Sequence, residues 1–208
     1  ATKGVYELGS VFKTFTIAAG LEAGLIEPET EFLNLKKKLK CGKNTISEYD
    51  NEIPSDLTVE QILIRSSNIG SVRIGQKLEI EKLKNFLAKI GILEKIDFDI
   101  GEVGEPIPFR WGKCKLATVS FGHGITTTPL QLAAGYAIIS NGGFEIKPTL
   151  IKQSSKKLPK KRIIKSGVSE KINPILRKIV TTKEGTAGFA NIDGYEVGGK
   201  TGTAESYN

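Results

Sequence analysis

Residues 9–21 read GSVFKTFTIAAGL, and Lys13 is the only charged side chain in this segment. The run of apolar residues after Ser10 predicts a helix that begins at Ser10. A helix with so little polar surface is largely buried in the folded domain. Ser10 and Lys13 are three positions apart, so one helical turn separates them and both side chains project from the same face.

No acidic residue lies four positions before or after Lys13. A lysine that is desolvated without a carboxylate partner has a lowered pKa, and its neutral amine can act as the base for a serine hydroxyl. The alternative is that Ser10 only caps the helix and Lys13 is solvated, as in most isolated S-x-x-K patterns. The crowded apolar setting favours the catalytic interpretation here.

A second polar cluster is Ser66-Ser67-Asn68, which follows a predicted helix. The cluster could simply mark the end of that helix, because serine and asparagine compete with helical hydrogen bonds. In the functional interpretation, Ser66 relays a proton to or from Lys13, and Asn68 binds a substrate amide. The two side chains are two positions apart, so they can face one cleft only from a turn.

Residues 194–203 read GYEVGGKTGT and are predicted to form an extended strand. Glycine weakens a strand and often marks the close approach of another chain or a ligand. A substrate peptide could therefore pair with this strand, while Lys200, Thr201 and Thr203 hold an anionic group. The alternative is an edge strand that a lysine protects from aggregation.

Boundary signals predict further helices. They run from about Val59 towards Arg65, through Leu83–Ile90, over Leu130–Ser140, and from Asn173-Pro174 onward. The first begins with a capping box of Thr58 and Gln61, and the third with Thr128 followed by proline. We find no internal repeat and no linker, so the pattern predicts one domain with a helical bias.

The composition is that of one globular domain, with 208 residues, 39% hydrophobic and 25% charged, and it excludes fibrous and disordered classes. The net charge of +7 comes from residues 146–169, which carry eight basic residues and no acid, while the rest of the chain has 22 basic against 23 acidic residues. The basic residues are Lys147, Lys152, Lys156, Lys157, Lys160, Lys161, Arg162 and Lys165. Aromatic residues are not interleaved with these basic residues. We therefore interpret the segment as a solvated face rather than a surface for nucleic acid or anionic lipid.

Cysteine and histidine usage limits the chemistry. Cys41 and Cys114 form no C-x-x-C pair, so neither a zinc ribbon nor a disulfide framework is supported, and their pairing stays open. A single histidine, His123, excludes most metal sites and most histidine-based triads. We expect no metal and no cofactor. The long uncharged stretch at residues 116–144 contains too many polar residues to be a membrane span.

The motifs S-x-x-K, S-x-N and K-T-G follow one another with spacings of 56 and 134 residues. In this order they resemble the penicillin-binding proteins, and specifically the high-molecular-weight class B transpeptidases. YELGSVFK at residues 6–13 is similar to that family's YEPGSTFK, with Leu8 in place of proline and Val11 in place of threonine. Leu8 favours the septal, division-specific subgroup.

Two further segments carry the same resemblance. Residues 120–133, SFGHGITTTPLQLA, look like the family's G-x-G-x-x-x-TPLQLA segment. Residues 185–187, GTA, and residues 200–204, KTGTA, match as well. The resemblance therefore spans nearly the whole chain.

The resemblance implies an enzyme, a serine-type D-Ala-D-Ala transpeptidase that cross-links peptidoglycan stem peptides through an acyl-serine intermediate during cell division. Ser10 would attack the penultimate D-Ala carbonyl, Lys13 would be its base, and Ser66 would relay protons. The backbone N–H groups of Ser10 and Thr203 would form the oxyanion hole. β-Lactams, which mimic D-Ala-D-Ala, would acylate Ser10.

Substrate binding is implied for the other motif residues. Asn68 would orient the donor peptide. Lys200, Thr201 and Thr203 would bind its terminal carboxylate, with Gly202 in the same motif.

The implied fold is α+β, the fold of penicillin-binding proteins and serine β-lactamases, with a mainly antiparallel sheet flanked by helices. Nine residues precede Ser10 and six follow Gly202. We therefore expect residues 1–208 to be a partial, helix-rich transpeptidase domain that lacks most of the sheet and is inactive by itself. The resemblance also implies a membrane anchor outside this chain and a catalytic domain in the bacterial periplasm. The implied partners are stem peptides, β-lactams and division proteins, including a glycosyltransferase.

A β-lactamase or a β-lactam sensor shares the three motifs and is the alternative. Hydrolysis requires a base that delivers water to the acyl ester, and Glu102 and Glu105 lie in the appropriate interval. Nothing in the sequence marks either residue as that base. The segment that resembles TPLQLA favours a transpeptidase.

Overall fold

The structure is a computed structural model that describes residues 2–152 and 161–203. Its helices are α1 (Lys13–Glu22), α2 (Val59–Ile64), α3 (Asn68–Lys89), α4 (Lys113–Val119), α5 (Pro129–Ser140) and α6 (Ser166–Thr181). Single 3-10 turns occur at Gly9–Phe12 and Gly188–Ala190. The strands are β1 (Tyr6–Glu7), β2 (Glu31–Phe32), β3 (Lys38–Cys41), β4 (Asn44–Ser47), β5 (Leu57–Thr58) and β6 (Thr126–Thr127). The predicted α+β, helix-rich fold is confirmed.

The strands of the described residues form three antiparallel pairs rather than one large sheet. β1 pairs with β6, β2 with β5, and β3 with β4. In the first pair Tyr6 lies opposite Thr127, which brings the residues just before Ser10 beside the segment that leads into α5. The helices therefore supply most of the core.

The central helix is α1, in which every residue from Lys13 to Leu21 is buried. It packs against α3 and α6, as its apolar composition predicts. Its first turn, Gly9–Phe12, has 3-10 rather than α geometry. Gly9 has a φ of 56°, a left-handed conformation that glycine adopts easily. Any side chain at Gly122 would overlap the Gly9 carbonyl. The two glycines therefore allow their segments to approach closely just before Ser10.

The two predicted cap signals are confirmed. Thr58 Oγ1 accepts from Gln61 N at 3.2 Å, and Gln61 Oε1 accepts from Thr58 N at 2.9 Å, so α2 begins with a capping box. α5 begins with the same arrangement, formed by Thr128 and Gln131. These short-range hydrogen bonds fix where both helices start.

The prediction that a helix begins at Asn173-Pro174 is wrong in its starting point. α6 begins at Ser166 and passes through Pro174, which lies inside the helix. Proline removes one backbone hydrogen bond, but the apolar face of α6 packs against α1, α2 and α5 and holds the helix together. Similarly, the helix predicted at Leu83–Ile90 is the second half of the longer α3, which bends at Glu79, where φ is 64°.

The strand predicted over residues 194–203 is absent from the structure. Residues 195–203 run as an irregular segment. Gly199 N donates to Leu176 O at 3.1 Å, and Arg177 Nη1 donates to Val197 O at 2.8 Å. The backbone of this segment therefore bonds to α6 instead of to a strand.

A disulfide joins Cys41 to Cys114, with 5.3 Å between their Cα atoms. It links the end of β3 to the first turn of α4 and settles the pairing that the sequence leaves open.

The charged segment at residues 146–169 is only partly described. Lys156, Lys157 and Lys160 lie outside the described residues. The remaining five basic residues are exposed, which agrees with a solvated face. Over residues 2–152 and 161–203, no helix is long and apolar enough to cross a membrane.

Candidate active site

Side chains from all three motifs meet at the amino-terminal end of α1. Lys13 Nζ donates to the Ser66 carbonyl at 2.5 Å, to Ser66 Oγ at 3.1 Å and to Asn68 Oδ1 at 2.7 Å. Lys200 Nζ donates to the same Ser66 hydroxyl at 2.7 Å. Two lysines that are 187 positions apart in the chain therefore share one serine hydroxyl.

The turn predicted between Ser66 and Asn68 is present. Ser66 lies between α2 and α3 and has a φ of 57°, a left-handed conformation that is unusual for a residue other than glycine. Ser67 then caps α3, because its hydroxyl accepts from Gly70 N at 2.8 Å. The left-handed residue is what lets Ser66 and Asn68 both face Lys13, and such strain is common at functional sites.

The Asn68 amide is oriented by two partners. Its oxygen accepts from Lys13, and its Nδ2 donates to the Ser47 carbonyl at 2.9 Å. The second hydrogen of Nδ2 and the second lone pair of Oδ1 are then the groups that the amide can offer to a ligand.

Burial dominates the electrostatics of both lysines. It lowers the pKa of Lys13 well below its ordinary value, the nearby charge of Lys200 lowers it further, and Glu48 acts in the opposite direction. Burial also lowers the pKa of Lys200 to about 8. An ammonium group loses its hydration in the protein interior, so burial favours the neutral amine. Lys13 is fully buried, so the desolvation expected from the sequence is present.

Ser10 lies in the 3-10 turn directly before α1 and is half-buried. Within the described residues, its hydroxyl makes no hydrogen bond to Lys13, whose amine is directed at Ser66 and Asn68. The backbone N–H of Ser10 lies in the first turn of a helix, where N–H groups lack intrahelical acceptors. The hydroxyl and this N–H are therefore available to a ligand.

The K-T-G segment approaches Ser10 through Gly202. A Cβ atom on Gly202 would lie 2.8 Å from Val11 Cγ1 and 3.1 Å from the Leu8 carbonyl, so only glycine fits without displacement. Thr201 is anchored by a 2.7 Å hydrogen bond between its hydroxyl and that of Thr186. Thr203 is exposed at the end of the described segment.

The segment before α5 completes the surroundings of Ser10. Gly122 packs on Gly9, and Thr16 Oγ1 donates to the Ser120 carbonyl at 2.9 Å. His123 Nδ1 lies 3.3 Å from a Glu7 carboxylate oxygen, which places this imidazole beside β1. Among residues 2–152 and 161–203, no cluster of His, Cys, Asp and Glu could hold a metal ion.

The sequence interpretation missed two residues that touch the motif segments. Tyr136 donates its hydroxyl to the Val11 carbonyl at 2.8 Å and lies 2.9 Å from Thr14 Oγ1. Glu48 accepts hydrogen bonds from the start of α3. Neither has a local sequence signal, because both contacts join segments that are distant in the chain.

Comparison with known proteins places these features in a family. The sequence matches the penicillin binding protein transpeptidase domain over residues 1–208. It is 32% identical over 216 residues to the probable peptidoglycan D,D-transpeptidase FtsI of Caulobacter vibrioides, covering 100% of this chain and 36% of that relative. It is 31% identical over 210 residues to the probable peptidoglycan D,D-transpeptidase PenA of Neisseria flavescens, covering 98% of this chain and 50% of that relative.

The fold is likewise similar to a solved structure. The TP domain of Burkholderia pseudomallei penicillin-binding protein 3 superposes with a TM-score of 0.91 and 26% identity, covering 99% of this chain and 62% of that one. Measured against the two curated relatives, this chain spans between about a third and a half of their length.

Proposed function

The chain belongs to the penicillin-binding protein transpeptidase family, and from this premise we propose that it carries the acyl-serine centre of a peptidoglycan D,D-transpeptidase. The observation that carries the proposal is the convergence of Lys13, which lies three positions after Ser10, and Lys200 on the Ser66 hydroxyl. A buried amine and a half-buried lysine that share one hydroxyl suit a site that handles protons and binds an anion.

In the acylation step, Ser10 Oγ attacks the carbonyl carbon of the penultimate D-Ala of a stem peptide, and the serine proton moves to the neutral Lys13 amine. The lowered pKa of Lys13 supports this role, because a base must be unprotonated at the working pH. The peptide bond then breaks, and the leaving D-Ala nitrogen receives a proton through the Ser66 hydroxyl. This hydroxyl contacts both lysines and can pass a proton between them and the substrate.

The developing oxyanion and the terminal carboxylate require separate donors. The backbone N–H groups of Ser10 and Thr203 would bind the oxyanion. Lys200, with the hydroxyls of Thr201 and Thr203, would bind the carboxylate, and Asn68 would orient the donor peptide. The contact of Gly202 with Val11 supports this assignment, because it brings the K-T-G segment against the turn that holds Ser10.

In the second step, an amine of a neighbouring stem peptide attacks the Ser10 ester. The neutral Lys13 amine takes a proton from the attacking amine, a new peptide bond forms as the ester C–O bond breaks, and Lys13 returns a proton to Ser10 Oγ, which leaves as the regenerated hydroxyl. The cross-link between glycan strands is the product. β-Lactams would stop at the first step, with Ser10 acylated.

The β-lactamase alternative requires a base that activates water at the acyl ester. Glu102 and Glu105 are exposed, and within the described residues neither carboxylate hydrogen-bonds to Ser10, Lys13 or Ser66. This geometry supports transfer to an amine over rapid hydrolysis. Deacylation that takes hours would fit a transpeptidase, and deacylation within seconds would fit a β-lactamase.

The cellular role is proposed from the same family. The chain would act in septal peptidoglycan synthesis, with its catalytic domain in the periplasm and its anchor in the bacterial inner membrane. Its partners would be stem peptides and division proteins that include a glycosyltransferase. Leu8, which replaces the proline of the family pattern, supports the septal assignment.

Labelling with a fluorescent penicillin tests the proposal in the full-length protein. We expect one covalent adduct, which peptide mass spectrometry places on Ser10, and no adduct in Ser10→Ala. Ser140→Ala, which removes an exposed serine at the end of α5, is the matched control and should label normally. An adduct on another residue, or labelling that persists in Ser10→Ala, would contradict the proposal.

A further inference from the structure

We propose that Glu48 is a positioning residue, which holds the Ser66–Asn68 turn in the geometry that presents it to Lys13. This inference rests on the proposed function, because its consequence is measured as acylation of Ser10. Glu48 belongs to none of the three motifs and lies directly after β4.

The carboxylate of Glu48 bonds to three consecutive residues of the turn. Its Oε1 accepts from Ser67 Oγ at 2.5 Å and from Ile69 N at 3.2 Å, and its Oε2 accepts from Asn68 N at 2.7 Å. These N–H groups open α3, where a negative charge is also favoured by the helix dipole. The Glu48 side chain thereby holds the Ser67 hydroxyl and the two backbone N–H groups that follow it.

The need for such an anchor follows from the backbone of Ser66. Its left-handed φ of 57° is strained for a serine and persists only where the surroundings hold it. The residue on its carboxyl side is Ser67, whose hydroxyl donates to Glu48 and accepts from Gly70 N. Without the carboxylate, the turn can relax, and both Ser66 Oγ and Asn68 Oδ1 then move relative to Lys13.

The hairpin that carries Glu48 is itself fastened to the domain. β3 and β4 pair over four residues each, and the Cys41–Cys114 disulfide ties the hairpin to α4. The hairpin also contributes the Ser47 carbonyl, which accepts from Asn68 Nδ2. The Ser47 carbonyl thus holds the side chain of Asn68, and the Glu48 carboxylate holds the Asn68 backbone N–H.

The negative charge of Glu48 also affects the pKa of Lys13, which an uncharged helix cap would not do. Glu48 raises the pKa of Lys13, while burial and Lys200 lower it. Burial raises the pKa of the adjacent Tyr49, and the charges of Asp50 and Glu48 raise it further. Removing the negative charge should therefore lower the pKa of Lys13 further and shift the acid limb of the acylation profile towards lower pH.

The experiment compares Glu48→Gln and Glu48→Asp with the parent in the full-length protein, using the rate of fluorescent penicillin acylation as a function of pH. Glutamine keeps the shape but turns one acceptor into a donor that faces an N–H group. We expect acylation per folded molecule to fall by about tenfold or more, as for other misplaced catalytic groups, with the acid limb at lower pH. Aspartate keeps the negative charge, but its shorter side chain draws the carboxylate away from the turn. We therefore expect an unshifted acid limb and a smaller loss of acylation rate than in Glu48→Gln.

Thr58→Ala is the matched control, because it removes a helix cap from α2 at the end that is remote from Ser66. It should lower the melting temperature without changing acylation per folded molecule or its pH profile. The proposal is overturned if Glu48→Gln behaves like Thr58→Ala. It is equally overturned if Glu48→Gln does not fold and Glu48→Asp acylates at the parental rate. A parent that is not labelled on Ser10 would instead overturn the proposed function, so the two failures are distinguishable.

Discussion

The two sides of the candidate site are built in different ways. Lys13 and Ser66 lie in the core, and each is held by several hydrogen bonds from helix ends. Gly202 and Thr203 lie on the surface in an irregular segment. The side proposed to handle protons is therefore the more rigid one, whereas the side proposed to bind the substrate carboxylate depends on close contact at a few points, above all at Gly202.

Replacing the base should have the largest effect on the rigid side. A guanidinium stays protonated in proteins, so Lys13→Arg should abolish labelling by fluorescent penicillin. Lys178→Arg, which changes an exposed lysine paired with Glu60, should label as the parent does. Labelling of Lys13→Arg at anything near the parental rate would remove Lys13 from the mechanism.

On the exposed side, Gly202→Ala should have an intermediate effect. The added methyl group meets Val11 and the Leu8 carbonyl, so it pushes the K-T-G segment away from Ser10. We expect acylation to slow by about tenfold, since small displacements of positioned groups are costly. Gly199→Ala is the control, because a Cβ atom there meets nothing within 4 Å. Equal rates for the two variants would show that the contact at Gly202 does not position the segment.

The smallest expected effect is the change in acylation rate with pH. The pKa of Lys200 is lowered to about 8, so its positive charge is present below that pH and is lost as the pH rises through it. Loss of this charge weakens the attraction for the substrate carboxylate and also removes one of the causes that lower the pKa of Lys13. Acylation should therefore decline a few-fold above about pH 8, whereas Lys200→Arg should acylate more slowly but without that decline. A parental rate that still rises above this pH would contradict the assignment of Lys200.

Local signals in the sequence predict much of the rigid side. The capping box of Thr58 with Gln61, and Thr128 followed by proline, mark where their helices begin from neighbouring residues alone. The burial of Lys13 follows from the apolar residues around it in one segment. Burial was therefore sufficient to predict a desolvated lysine, whereas its proximity to Ser66, 53 positions away, was a hypothesis drawn from the motifs.

Features that depend on contacts between distant segments, and that no motif marks, were not predictable. Glu48 bonds to residues about twenty positions away, and the cysteines pair across 73 positions. Residues 194–203 alternate and contain glycine like a strand, but their hydrogen bonds go to α6. α6 itself starts before Pro174, because its packing compensates for the hydrogen bond that proline cannot make.

The central claim is that burial lowers the pKa of Lys13 and so favours its neutral amine, and an NMR titration of its ¹³Cε resonance measures this directly. The resonance is assigned as the lysine signal that is missing from Lys13→Arg. We predict that it titrates well below 10.5, the value of a lysine in water, because desolvation and the charge of Lys200 both disfavour the ammonium form. A Lys13 resonance that titrates at or above the ordinary lysine pKa in the folded protein would contradict the account.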